Sequence, residues 1–110
     1  MSNRFFQGVI GQMKDCLNRV VGVIDETNTI VSCSDLSRIG STINGFTFEG
    51  VNASDTMIYD GYTYKLLVTP GARSIFAVFV EGTDDLASKY AAIITISLTG
   101  LKQFYDEKYD

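Results

Sequence analysis

The sequence predicts an α+β domain in which a five-stranded antiparallel sheet is flanked by one N-terminal and one C-terminal helix. Apolar residues near the start and the end recur at helical spacing, and five short runs between them are rich in β-branched and aromatic residues. The chain has 110 residues, enough for one compact domain, and its 45% hydrophobic content indicates a filled core. We therefore treat residues 1–110 as one domain.

The first element is an amphipathic helix predicted over residues 3–19. Apolar side chains recur there every three or four residues, which places them on one helix face. They are Phe6, Val9, Ile10, Met13, Cys16, Leu17 and Val20. The two cysteines, Cys16 and Cys33, are too few and too far apart for a disulfide framework or a CxxC motif. We expect both to be reduced and to serve as small core residues.

A β-hairpin follows the helix. Residues 20–24 and 29–33 are rich in β-branched side chains, and the turn chemistry of Asp and Asn lies between them. Ser34 or Asp35 is placed to cap a short helical turn over 36–38. Residues 40–54 then alternate Gly, Ser, Thr and Asn with a few apolar residues, which predicts an irregular connection. A connection of this length is often functional.

A second hairpin is predicted over residues 56–59 and 62–68, because Asp60-Gly61 between them is a strong two-residue turn signal. This turn would pair Tyr59 with Tyr62 and Met57 with Tyr64, on one face of the sheet.

The last strand and the last helix complete the order. Residues 74–80 carry apolar side chains at both odd and even positions, which point to opposite faces of a strand. Both faces of the sheet must therefore be covered there. Thr83 or Asp84 would cap the final helix. Its main apolar face is predicted to comprise Leu86, Tyr90, Ile93, Ile94, Ser97, Leu101, Phe104 and Tyr105. Ile96 and Leu98 lie off that face, and a second apolar surface in so small a domain predicts a homodimer through helices 3–19 and 84–105.

Composition excludes several function classes. The chain has no histidine, which removes the commonest general base and metal ligand, and with them zinc hydrolases and Ser-His triads. The formal net charge is -4 with scattered lysines and arginines, so this segment is not expected to bind nucleic acid itself. Residues 90–101 are too interrupted by polar residues for a membrane span. We expect no enzyme, no metal and no cofactor, and a cytoplasmic protein.

Arg38 is the first candidate binding residue. It follows the first hairpin at the start of the irregular segment, where a guanidinium can bind a carboxylate in a bidentate manner. A salt bridge to Asp35, one helical turn away, would by itself account for the pair. Tyr64 is either a ligand-facing hydroxyl or a packing residue, and packing is the simpler interpretation for Tyr59 and Tyr62. Residues 71–74 could hold an anion, although a tight strand connection is the simpler interpretation.

One stretch resembles a known family. The residues that carry the resemblance are Val23-Ile24-Asp25, Ile30-Val31-Ser32-Cys33, Ser34-Asp35, Arg38-Ile39-Gly40 and the later run Asp60 to Leu67. They are similar to the N-terminal sugar-diacid-recognition domain of bacterial carbohydrate-diacid transcriptional regulators, and more broadly to PAS-like sensor domains with their profilin-like sheets. Residues 41–46 hold neither the histidine nor the acid found there in the diacid regulators, so only Arg38 carries over as a ligand contact.

The resemblance implies a sensory domain, excised from a longer regulator, that binds a small anionic ligand such as an organic or sugar acid. The ligand would lie between the sheet and residues 40–54 and would signal through the terminal helices of a dimer. DNA would be bound only by a helix-turn-helix domain outside these 110 residues. The expected binding residues are Asp35, Arg38, Gly40, Phe46, Tyr64 and Phe76, with Arg38 supplying charge, Tyr64 a hydroxyl, and Phe46 and Phe76 apolar walls.

A different class of protein has nearly the same element order. A roadblock- or profilin-like adaptor would have no ligand and would act through dimerisation and partner contacts. It predicts a regular helix between residues 41 and 54, with no cavity behind it.

Overall fold

The computed structural model describes residues 2–47, 55–67 and 75–109. Helix α1 (Ser2–Leu17) precedes the sheet, and helix α2 (Asp85–Tyr109) follows it. The strands are β1 (Val21–Ile24), β2 (Ile30–Cys33), β3 (Thr56–Tyr59), β4 (Tyr62–Leu67) and β5 (Phe76–Glu81). They form one sheet in the order β2-β1-β5-β4-β3, and every neighbouring pair is antiparallel. The predicted fold class is confirmed.

Strand β5 occupies the centre of the sheet, between β1 and β4. Its alternate residues Phe76, Val78 and Val80 belong to one buried cluster, whereas Ala77 and Phe79 belong to another on the opposite face. Successive side chains of a strand point to opposite faces. The prediction that both faces of this run are covered is therefore confirmed.

Both helices pack on one face of the sheet, which we call the helix face. Its buried residues are Phe6, Ile10, Val21, Val23, Leu67, Phe76, Val78, Val80, Ala87, Ala91, Ile94 and Leu98. On α2 the buried row includes two alanines, whose small side chains permit close approach of the helix to the strands.

The predicted face of α2 is only partly right: Ile94 is buried and Tyr90 packs against the helix face, as predicted, but Ser97 is exposed and the buried face is rotated around the helix. Leu86 and Ile93, expected to be buried, are 42% and 57% exposed, whereas Leu98, placed off the face, is fully buried. The prediction counted only large apolar residues. In the structure α2 contacts the sheet through a neighbouring row of positions that includes Ala87 and Ala91, because small side chains allow the helix to pack closely. Ile96 is 73% exposed, as its position off the main face implied. The side chains predicted at 101, 104 and 105 lie outside the described residues.

Cysteine burial follows the prediction at one position only. Both cysteines are free, and Cys33 is buried in β2, but Cys16 is exposed. Cys16 lies six residues after the buried Ile10, which places it about 120° away around the helix axis. The proposed core role of Cys16 is therefore wrong.

Gln7 joins α1 to the outer edge of β2. Its side-chain Nε2 donates to the Cys33 carbonyl oxygen at 3.0 Å, and its Oε1 accepts from the Cys33 N–H at 3.0 Å. Among the described strands, β2 lies at the edge of the sheet, and these backbone groups of Cys33 face the side that no described strand occupies. The amide of Gln7 thus pairs with the edge as a strand backbone would.

Arg19 joins the end of α1 to the start of α2. Its Nη1 and Nη2 donate to the two carboxylate oxygens of Asp84 at 2.8 and 2.9 Å, and Nη1 also donates to the Glu81 carbonyl oxygen. Asp84 Oδ1 also accepts from the Ala87 N–H, as an N-cap does. The hydrogen bonds from Arg19 hold the pKa of Asp84 well below its ordinary value. We call this the Arg19–Asp84 latch.

The Gln7 pairing predicts a measurable loss of stability in Gln7→Ala. The substitution leaves the N–H and C=O of Cys33 without partners, and we expect the free energy of unfolding to fall by about 1–3 kcal/mol. Urea unfolding followed by circular dichroism measures this change. Gln12→Ala, at an exposed position of the same helix, is the matched control and should change it by less than about 0.5 kcal/mol. Equal effects of the two substitutions would contradict a specific role for the Gln7 amide.

Candidate functional site

The sheet face opposite the helices carries the candidate site. Its buried residues are Ile24, Ile30, Cys33, Phe46, Tyr64, Leu66, Ala77 and Phe79, with Val20, Ile43, Met57, Tyr59 and Tyr62 packed against them. We call the rings of Phe46, Tyr59, Tyr62, Tyr64 and Phe79, together with the Arg38 side chain, the aromatic face. The sequence placed a ligand between the sheet and residues 40–54, and the described part of that segment lies on this face.

The β3–β4 hairpin positions the three tyrosines. Tyr59 pairs with Tyr62 and Met57 pairs with Tyr64, as predicted. Asp60 and Gly61 have φ angles of 51° and 85°, which matches a two-residue turn with left-handed central residues. This register is confirmed, and it aligns the tyrosine side chains on the aromatic face.

Strand β1 leaves space for Phe79 at Gly22. A Cβ atom built at Gly22 would lie 2.5 Å from Cζ of Phe79, closer than real contacts allow. The ring of Phe79 therefore lies against the bare backbone of Gly22, at the centre of the aromatic face.

Residues 40–47 cover part of this face without forming a regular helix. The Gly40 N–H donates to the Ile30 carbonyl at 2.8 Å, and the Ile43 N–H donates to the Asn28 carbonyl at 2.9 Å. Gly40 has a φ angle of 95°, which favours glycine. The irregular connection is thus confirmed over the described part, and the helix expected of an adaptor is absent from 41–47. Residues 48–54, the rest of that prediction, lie outside the described residues.

Phe46, near the end of the described residues 40–47, places its phenyl ring against Tyr64 and Tyr59. Phe46 stacks on Tyr64 with ring centroids 4.4 Å apart and planes 27° apart, and it lies 5.9 Å from the ring of Tyr59. Asn28 donates to the Phe46 carbonyl at 2.6 Å, and the Tyr59 hydroxyl donates to the Asn44 carbonyl. Phe46 is 6% exposed, so its ring fills the space above Tyr64.

Arg38 lies beside these rings and bonds to a tyrosine. Its Nη1 donates to the Tyr62 hydroxyl at 2.6 Å, and its Cζ lies 5.1 Å from the Tyr62 ring centroid and 5.9 Å from that of Phe79. A guanidinium at these distances from a ring is attracted to the π-system. The side chain is half-buried.

The alternative interpretation of Arg38, a salt bridge to Asp35, is wrong. Within 2–47, 55–67 and 75–109, the ion pair formed is Arg19–Asp84. Asp35 Oδ1 instead accepts from the N–H and the hydroxyl of Ser37, at 3.2 and 2.7 Å, as the N-cap of the 3-10 turn Leu36–Arg38. These hydrogen bonds lower the pKa of Asp35.

The structure brings three of the six predicted binding residues together, namely Arg38, Phe46 and Tyr64. Phe76 lies on the helix face, where it packs edge-on against Phe6 at 5.1 Å, so its placement in the same pocket was wrong. Phe76 is separated from Phe79 by an odd number of positions, and strand alternation therefore turns it to the opposite face. The prediction of Phe76 as a binding residue did not take into account that Phe76 and Phe79 point to opposite faces of β5.

Asp35 and Gly40 lie on either side of Arg38 and are both exposed. Asp35 caps the 3-10 turn, and Gly40 supplies the positive φ angle that follows it. Both position Arg38 through the backbone.

Sequence reasoning missed Tyr62 and Phe79 as neighbours of Arg38. Tyr62 shares the face of Tyr64, and this parity could have identified it.

A separate open cleft of about 690 Å³ lies between the end of α1 and the 3-10 turn. It is lined by Lys14, Asp15, Asn18, Arg19, Val20, Ser34, Asp35, Leu36, Ser37 and Glu81. Several of its charged groups already have partners: Arg19 binds Asp84, Asp35 binds Ser37, and Glu81 accepts from the Val20 N–H. The aromatic face is the stronger candidate, because its cation, Arg38, forms no ion pair with a carboxylate of the described residues.

The buried hydroxyl of Tyr64 predicts a pH dependence of stability. Burial raises the pKa of Tyr64 from 10.0 to about 12. Between these values the unfolded state releases the proton and the folded state keeps it, so stability falls as pH rises from about 10 to about 12. Tyr64→Phe should lose less stability over this range, as measured by urea unfolding at several pH values. Parallel losses in the two proteins would contradict the assignment.

The described residues contain no group of three or more His, Cys, Asp or Glu side chains that could hold a metal ion. In the same part of the chain, no helix is both long and apolar enough to cross a membrane.

Comparison with family models, curated proteins and solved structures gave no match. Function is therefore inferred from the contacts of Arg38 and the surrounding rings.

Proposed function

We propose that this chain is the ligand-sensing domain of a cytoplasmic bacterial transcriptional regulator and binds a small anionic molecule at the aromatic face. The observation that supports this proposal is the state of Arg38. Its half-buried guanidinium lies over two rings and donates to one neutral hydroxyl, and no described carboxylate pairs with it. The resemblance of residues 20–40 to the sugar-diacid-recognition domain supports the same assignment.

The physical argument concerns the charge of Arg38. A guanidinium that is partly removed from water loses hydration, and proteins usually compensate with a paired anion. Arginine has five N–H donors, and Tyr62 accepts from one nitrogen. The remaining donors can bind a carboxylate in the bidentate geometry that guanidinium groups favour. The ligand supplies the missing negative charge.

Signalling in this proposal crosses the sheet. Phe79 belongs to the aromatic face, and its neighbours Val78 and Val80 on β5 belong to the helix face against which α2 packs. A ligand shifts the helices only if it binds one arrangement more tightly than the other. The helices then pass the change to a dimer partner, and DNA is bound by another domain of the regulator.

A second candidate function is supported by one observation on α2. Leu86, Ile93 and Ile96 are exposed at spacings of seven and three, which places them close together on the side away from the sheet. This exposed row is suited to a second copy of the chain. A dimerising adaptor without a ligand would use the same surface and would leave Phe46 permanently on Tyr64.

The proposal predicts stabilisation by an acidic ligand. A thermal-shift screen would use organic acids, sugar acids, amino acids and nucleotides. A ligand at 100 times its Kd adds about 2.7 kcal/mol, which raises the Tm by several degrees. Arg38→Gln should abolish the shift, whereas Lys89→Gln, the same charge change at an exposed position of α2, should preserve it. An acidic ligand that binds Arg38→Gln as tightly as the parent chain would remove Arg38 from the site.

The exposed row on α2 predicts a dimer that a charge disrupts. Ile93→Glu should shift the chain to monomers, because a carboxylate would be buried between two helices without a partner. Sedimentation equilibrium measures the change. Ile58→Glu is the matched control, since Ile58 is a 59% exposed isoleucine on edge strand β3. A parent chain that is already monomeric at high concentration would exclude this dimer.

A further inference from the structure

We infer that the phenyl ring of Phe46 occupies the place of a ligand's own ring, and that the aromatic face binds an aryl carboxylate when Phe46 moves out. This inference rests on the proposed function and specifies the ligand class of the same site. The ligand carries a flat ring for the tyrosines and, on a short chain, an acid for Arg38.

The ring requirement follows from what surrounds Phe46. Its face stacks on Tyr64 at 4.4 Å, and Tyr59 lies at 5.9 Å on another side. Aromatic rings prefer such offset-stacked or edge contacts, which a flexible aliphatic chain does not reproduce. A ligand that replaces the Phe46 ring without losing these contacts must itself present a flat ring.

The acid requirement follows from the position of Arg38 relative to the same rings. The ring of Phe79 lies 6.0 Å from that of Tyr64 and 5.9 Å from the Arg38 guanidinium carbon. The cation and the stacking position of Phe46 therefore border one pair of neighbouring rings. In this proposal the ligand's ring lies on Tyr64 in the place of Phe46, and its carboxylate points toward Phe79, beside which Arg38 lies.

The segment that carries Phe46 is hydrogen-bonded at its base and, separately, at its tip. The base is bonded to the first hairpin through Gly40 and Ile43. The tip turns at Gly45, whose φ angle of 86° favours glycine, and its Asn44 carbonyl accepts from the hydroxyl of Tyr59. Rotation at Gly45 that withdraws the ring breaks two hydrogen bonds of the tip, from Asn28 to the Phe46 carbonyl and from Tyr59 to the Asn44 carbonyl, while the bonds of the base remain.

The test is titration calorimetry of this chain with phenylacetate. Cyclohexylacetate controls for ring flatness at equal charge and similar size, and 2-phenylethylamine controls for the charge. We expect phenylacetate to bind more tightly than both. Phe46→Ala should strengthen phenylacetate binding about tenfold or more, because the competing ring is removed and the open form is no longer a minor population. Adding Arg38→Gln to Phe46→Ala should remove the preference for the acid over the amine.

The outcomes separate this inference from the proposed function. If another acid of the screen binds through Arg38 while phenylacetate binds neither the parent nor Phe46→Ala, the aryl class is wrong and the sensor proposal stands. If Phe46→Ala leaves phenylacetate binding unchanged or weakens it, Phe46 is a wall and not an occupant. If no acid binds either protein, both proposals fail. Phe46→Leu, which keeps an apolar side chain at the position, repeats the test if Phe46→Ala does not fold.

Discussion

The burial of strand β5 on both faces is the constraint on which the rest of the structure depends. Its five residues Phe76 to Val80 are buried, and β5 lies at the centre of the sheet. A strand with apolar side chains on both of its faces must be covered by other elements on each face. The two helices cover one face, and the segment that ends in Phe46 covers part of the other. The aromatic face is thus a second core as well as a candidate site.

Two arginines near the ends of helical segments illustrate the difference between a structural and a binding role. Arg19 makes a bidentate contact with Asp84 and a further bond to a backbone carbonyl, so its charge is compensated within the chain. Arg38 lies over rings and donates to one hydroxyl, which are weaker partners than a carboxylate, and Asp35 acts on it only through space, without an ion pair. This contrast within one small domain is the main support for proposing a ligand site at the aromatic face and not in the cleft beside Arg19.

Sequence patterns predicted the elements well, because local chemistry determines them. The Asp60-Gly61 turn determined the tyrosine register, and the double-sided apolar run identified β5. The errors arose where three-dimensional packing decides between neighbouring positions. The helix contacts the sheet through Ala87 and Ala91, which a count of large apolar residues overlooks. The stacking of Phe46 on Tyr64 depends on tertiary contacts, so no periodicity could reveal it.

The Arg19–Asp84 latch has a mechanical consequence for α2. The helix has 25 residues and is therefore about 37 Å long, and its latch lies at the very first turn. The buried contacts described for α2 lie between Ala87 and Leu98, whereas the helix continues to Tyr109. A tilt of about 5° about the latch displaces the far end by about 3 Å and Leu98, which lies on the sheet, by about 2 Å. The displacement grows with distance from the latch, so the contacts near Leu98 limit the tilt that the helix can make.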